Sequence, residues 1–108
     1  MAFNKGDVVL VPFPYRDRLA EKTRPAVVVS NDLLATSGDV IVAAVTSHSP
    51  RFPTDISLQD WKTAGLQAPS TVRMLIATLF EGRVLLKIGQ LSDADFARVQ
   101  SKLSKILA

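Results

Sequence analysis

Short runs of apolar, β-branched residues, each ended within a few positions by glycine or proline, carry most of this 108-residue chain. Asp7-Val8-Val9-Leu10-Val11 lies between Gly6 and Pro12, Ala26-Val27-Val28-Val29-Ser30 follows Pro25, and Val40-Ile41-Val42-Ala43-Ala44-Val45-Thr46 follows a Ser37-Gly38-Asp39 turn. Runs that are apolar at consecutive positions, rather than at every second one, predict strands covered on both faces, as in a small barrel. Pro12 and Pro14 are expected to end regular pairing of the first strand. Pro25 biases Arg24 towards extended backbone directly before the second. A weaker run over 54–58, a long β-prone stretch over 71–79 that one bent strand would explain, and a return strand over 84–88 complete the set. The Glu81-Gly82 pair reads as a hairpin between the last two.

The final segment changes period. Ser92 is placed to cap a helix, Asp93 and Asp95 sit in its first turn, and Leu91 and Phe96 occupy the positions of a hydrophobic staple. Phe96, Val99, Leu103, Ile106 and Leu107 then recur at spacings of three and four, one face of a helix, with Lys102 and Lys105 towards its C-terminal end. Asn31 is a candidate cap for a short helical turn over 32–35. With 47% of residues hydrophobic the chain can build one core. The expected fold is mainly β: a single domain over 1–108, a small antiparallel barrel with short helices and a C-terminal amphipathic helix covering an open face or end.

Composition removes several classes of function. There are no cysteines and one histidine, which excludes disulfides, thiol catalysis and clustered Cys or His metal sites; no metal or cofactor is expected. No glycine-rich loop opens a helix, so a phosphate cradle of the P-loop or dinucleotide type is absent. No apolar run approaches the ~18 residues of a membrane span, and Met1 to Asp7 has no signal-peptide pattern, so a cytoplasmic protein without membrane association is expected. Aromatics at 6% are too few for a base-stacking platform. The net charge of +3 is diffuse apart from residues 16–24, where Arg16, Arg18, Lys22 and Arg24 outnumber Asp17 and Glu21. That balance permits an anionic partner without requiring one.

The polar groups that could do chemistry lie at strand ends beside this basic loop. Arg24 adjoins the second strand, and Thr46 and Ser47 stand where the third runs out. Antiparallel pairing of those two strands would bring the start of one beside the end of the other, and so Arg24 beside Thr46. His48 is the single histidine and follows them, although most lone loop histidines are solvated bystanders.

Three segments, Gly6-Asp7-Val8-Val9-Leu10-Val11-Pro12-Phe13-Pro14, Arg24-Pro25-Ala26-Val27-Val28-Val29-Ser30 and Val42-Ala43-Ala44-Val45-Thr46-Ser47, resemble the MazF/PemK toxins of toxin–antitoxin pairs. The likeness continues through Gly65-Leu66, Pro69-Ser70-Thr71-Val72-Arg73 and Ile88-Gly89-Gln90-Leu91-Ser92 into the last helix, in order and over nearly the whole chain. The resemblance implies a small SH3-like antiparallel β-barrel with a C-terminal helix, acting as a homodimer that cuts single-stranded RNA at short sequences without a metal and is restrained by a cognate antitoxin. It implies Arg24 and Thr46 as the catalytic pair. Arg16, Lys22, Ser47, Ser70 and Arg73 are the candidate RNA-binding residues. Met74-Leu75-Ile76-Ala77 is apolar where better-known members carry polar residues, so a substrate contact there is either lost or moved to Arg73. Phe13 and Tyr15 could stack on bases or pack under their loop, and Trp61 is expected in the core or at its rim. The related CcdB-like poisons of DNA gyrase, which hydrolyse nothing, and a plain nucleic-acid-binding barrel are the alternatives.

Overall fold

The computed structural model describes residues 3–14 and 22–108, and within them six strands form one antiparallel sheet curled into a half-barrel. The strands are β1 (Asp7–Phe13), β2 (Lys22–Val28), β3 (Asp39–Thr46), β4 (Ile56–Ser57), β5 (Thr71–Phe80) and β6 (Leu86–Gln90), in the spatial order β4-β5-β3-β2-β1-β6. A one-turn helix α1 (Asp32–Ala35) is capped by Asn31, whose side chain accepts from the Leu33 N–H. The long helix α2 (Asp93–Leu107) is capped by Ser92, which accepts from the Asp95 N–H. Both caps stand where the sequence placed them.

The consecutive apolar runs are explained by two cores, one on each face of the sheet. Val8, Val27, Ala43, Val45 and Val72 face Leu91, Phe96 and Val99 at the α2 end of the chain. Val9, Val11, Ala26, Val28, Val42 and Ala44 point the other way, with Phe3, Phe13 and Leu79. Phe13 is therefore a packing residue, and Trp61 packs half-buried against the first core.

The prolines behave differently from expectation. β1 continues through Pro12 to Phe13, paired with Thr23 and Lys22. The Leu10 carbonyl accepts from the Leu85 N–H, so Leu10 and, two residues on, Pro12 face the β6 side, where pairing ends at Leu10. The N–H that proline lacks has no partner to lose there. β2 also starts earlier than expected, so Arg24 lies within a strand, opposite Val11, rather than ahead of one. Val29 donates to the Ile41 carbonyl, so Val27 and Pro25 face β3, and the β2–β3 ladder stops at Ala26 opposite Ala44.

The expected hairpin is absent. Glu81–Arg83 form a 3-10 turn, and β6 crosses to the opposite edge, where it pairs with β1 instead of β5. There it covers residues 7–10 of β1, of which Asp7, Val8 and Val9 are buried, and Lys87 Nζ sits 3.2 Å from Asp7 Oδ1. β5 is bent, as the sequence suggested: between Ala43 and Val45 its partners run from Ile76 to Val72. The edges β4 and β6 do not pair. The turn after β4 spans the gap, its Ala64 and Gly65 backbone lying against Ile88 and Gly89 of β6.

Candidate functional site

The end of the β2–β3 ladder makes the site. Ala26 pairs with Ala44, and the same register carried two residues further sets Arg24 opposite Thr46. Cross-strand partners project from one face, and Pro25 supplies no N–H to bind the strands together at this point. Two clefts open there, and Arg24, Val45, Thr46 and Ser47 line both. The larger, about 360 Å³, is completed by Leu10, Pro25, Leu66, Gln67, Ser70 and Ile88 among others. The smaller, about 210 Å³, is completed by Ala44, His48, Arg51, Arg73 and Leu75.

Arg24 is exposed and, among the described residues, has no hydrogen bond or ion pair. Among the described residues its guanidinium fork is therefore uncommitted. Thr46 is half-buried, and its Oγ1 accepts from the His48 N–H at 3.2 Å. That bond takes up a lone pair and leaves the hydroxyl proton to donate into the clefts. Ser47 is exposed beside it.

The remaining sequence-derived candidates separate. Arg73 lines the small cleft, where Nε lies 3.8 Å from Asp55 Oδ1 and the guanidinium sits 5.4 Å from the Phe52 ring centre. The same Asp55 carboxylate accepts from the Arg51 and Phe52 N–H groups, so one nearly buried acid organises the loop that carries Arg51. Ser70 belongs to the large cleft, is buried, and donates its hydroxyl to the Ala68 carbonyl at 2.7 Å. Lys22 is exposed at the start of β2 and lines neither cleft. Arg16, like Tyr15, lies outside the described residues.

The sequence did not mark Arg51 or Gln67 as site residues, and Leu66 entered only through the Gly65-Leu66 likeness. They sit in loops after β3 and β4, and only the turn that reaches β6 brings Leu66 and Gln67 to the strand ends. Nor did the sequence mark what holds that turn. Asp95, wholly buried in α2, accepts from the Gln59 N–H at 3.1 Å and the Asp60 N–H at 2.8 Å, and it pairs with Arg98. Burial alone would raise its carboxyl pKa, but the two backbone donors and the Arg98 guanidinium outweigh it and hold the group below its ordinary value. Among the described residues no group of three or more His, Cys, Asp or Glu side chains could hold a metal ion, and no helix is long and apolar enough to cross a membrane.

The fold recurs in solved structures. An endoribonuclease in complex with its cognate antitoxin, from a mycobacterial species, superposes with a TM-score of 0.78 at 19% identity, over 98% of this chain and 95% of that one. MazF from Deinococcus radiodurans gives 0.79 at 22% identity, over 99% and 97%. The Mycobacterium tuberculosis toxin MazF-mt6 gives 0.73 at 16% identity, over 94% and 95%. At such identities the likeness establishes a shared fold. No match was found by sequence among curated proteins. The family profile for PemK-like, MazF-like toxins of type II toxin–antitoxin systems matches residues 4–107. That span takes in every described strand, both clefts and the whole of α2, and on it the chain belongs to the PemK-like, MazF-like toxin family.

Proposed function

We propose that the protein is an endoribonuclease toxin that arrests growth by cutting single-stranded RNA, mRNA above all, at short specific sequences in the cytoplasm. One observation carries this reading: Arg24 and Thr46 line the same two clefts at the open end of a strand pair, with a guanidinium unpaired among the described residues and a hydroxyl proton free to donate.

The chemistry follows from those residue types. The ribose 2′-oxygen attacks the adjacent phosphorus, the P–O5′ bond breaks, and the 5′-oxygen takes a proton from solvent as it leaves, giving a 2′,3′-cyclic phosphate and a 5′-hydroxyl. The 2′-hydroxyl proton passes to solvent. Charge builds on the phosphoryl oxygens in the crowded transition state, where a guanidinium offers a fixed fork of donors. Thr46 donates to a phosphate oxygen and holds the phosphorus in line with the 2′-oxygen. Arginine stays protonated at neutral pH and a threonine hydroxyl is no base, so both act by stabilisation and positioning rather than by proton abstraction. No metal enters this scheme.

Two partners fit this reading, the first supported by the fold likeness to an endoribonuclease in complex with its cognate antitoxin. One is an antitoxin whose acidic, disordered segment covers the cationic cleft. The other is a second copy of the chain, since Phe80 (64% exposed), Leu85 (62%) and Leu86 (56%) crowd one short segment with large apolar surface.

Incubation with a long single-stranded RNA in the presence of a chelator is expected to give discrete fragments ending in cyclic phosphate. Arg24→Ala should slow cutting by about 10²–10³-fold, the cost of one lost transition-state donor. Intact RNA with wild-type protein overturns the reading, and growth arrest with DNA breaks but intact RNA would mark a gyrase poison instead.

A further inference from the structure

The two clefts meet at the same four residues but differ in chemistry. Around the small one stand three guanidinium groups, Arg24, Arg51 and Arg73, with no acidic side chain among the described residues of its lining. Asp55 lies behind Arg73 and offsets part of its charge, whereas the Arg51 side chain has no ion pair among the described residues. Among the described residues the large cleft is lined by no charged side chain other than the shared Arg24. Leu10, Pro25, Leu66 and Ile88 give it apolar walls, and its volume of about 360 Å³ falls within the ~300–1,000 Å³ range of small-molecule sites. Its Gln67 amide has no hydrogen-bond partner among the described residues and presents both a donor and an acceptor.

We propose that these clefts divide the recognition of one RNA strand: the small cleft grips a backbone phosphate next to the scissile one through Arg51 and Arg73, and the large cleft takes a single unstacked base that Gln67 reads. The proposal rests on the nuclease reading for the identity of the ligand. Phosphate contacts fix register without reading sequence, while an unstacked base held between apolar walls exposes its edge to a side-chain amide. With Arg24 and Thr46 on the boundary, the scissile phosphate sits between the two grips. Sequence preference therefore belongs to the turn that follows β4, and affinity to the loop that follows β3. This assigns specificity to a place outside the apolar 74–77 stretch of β5.

Binding without cutting separates the two grips. The probe is a random pool of short RNA with 2′-fluoro riboses, which has no nucleophile; affinity is measured against salt and the bound fraction is sequenced. Arg51→Gln should weaken binding about fivefold to tenfold for all sequences at low salt and lower the log–log salt slope by about 0.7, the value of one single-strand phosphate contact. Its bound pool should keep the wild-type base preference. Gln67→Ala should leave the salt slope unchanged and flatten the preference at one position only. Both side chains are exposed, so melting temperatures should stay at the wild-type value, which confirms folding. An unchanged slope for Arg51→Gln, or an unchanged base preference for Gln67→Ala, overturns the division. Failure of the nuclease reading would show separately, as natural RNA left uncut while these binding results stand.

Discussion

A fully buried carboxylate is expensive to hold unless hydrogen bonds and charge surround it, and Asp95 has both. Replacing it by asparagine keeps the shape but removes the charge and turns one acceptor into a donor aimed at an N–H. Asp95→Asn is expected to cost about 1–3 kcal/mol, the penalty of a buried group left unsatisfied. At roughly 4–8 °C per kcal/mol for a domain near this size, a circular-dichroism melt resolves the loss. The pH dependence has a definite sign. The folded-state pKa is depressed, so the unfolded chain takes up the proton first, near the ordinary carboxyl value of about 3.8. The stability due to Asp95 is therefore complete above about pH 4 and is lost as pH falls through the lower, folded value. The wild type should lose denaturant resistance over that acid window, and the Asn variant should show a shallower loss. At Arg24 a second substitution separates charge from geometry. Arg24→Lys keeps the cation and gives up the planar fork, so kcat should fall by about tenfold or more while KM changes by less than about threefold.

At the scale of elements, the turn after β4 decides whether the half-barrel has a usable large cleft. Its backbone can reach β6 only because Gly65 and Gly89 meet without side chains: a Cβ on Gly89 would collide with the Ala64 carbonyl, and one on Gly65 with the Ile88 carbonyl. Gly65 also has φ +86, a conformation that side chains rarely adopt. Gly89→Ala should therefore push the turn off β6, lowering the melting temperature. Cleavage assayed well below that temperature should fall more than for a core truncation of equal instability, because Gly65, Leu66 and Ile88 wall the cleft. Most strands were legible, since consecutive β-branched residues such as 40–46 have few other ways to be buried, and Ser92 announced α2. The meeting of Arg24 and Thr46 was legible too, because neighbouring antiparallel strands leave one arrangement. Strand partners were not. Whether β6 joins β5 or β1 depends on which edge lies open after the sheet has curled, and Glu81-Gly82 carries no trace of that. Pro12 and Pro25 misled for a related reason: a proline interrupts a ladder only if its nitrogen faces a neighbour, and that is known only from register. Arg51 and Gln67 stayed hidden because nothing local links a loop residue to a site that another element completes.

At the scale of the molecule, the two clefts are lined by residues of one chain, while apolar surface at Phe80, Leu85 and Leu86 offers a place for a second copy. Cutting and assembly should then be separable. The wild type is expected to sediment as a dimer, and a Leu85→Glu, Leu86→Glu double variant as a monomer with the wild-type fold by circular dichroism. A dimer presents two sites to one long strand, so the second engagement is intramolecular and strengthens binding without any new contact. The monomeric variant should lose affinity for long RNA on the order of 10²-fold, the lower end of such gains. Its turnover of a short oligonucleotide at saturation, which engages one site only, should change by less than about threefold. Equal losses on both substrates would mean that the partner copy completes the site, and would move Arg24 and Thr46 from a self-sufficient pair to half of a composite one.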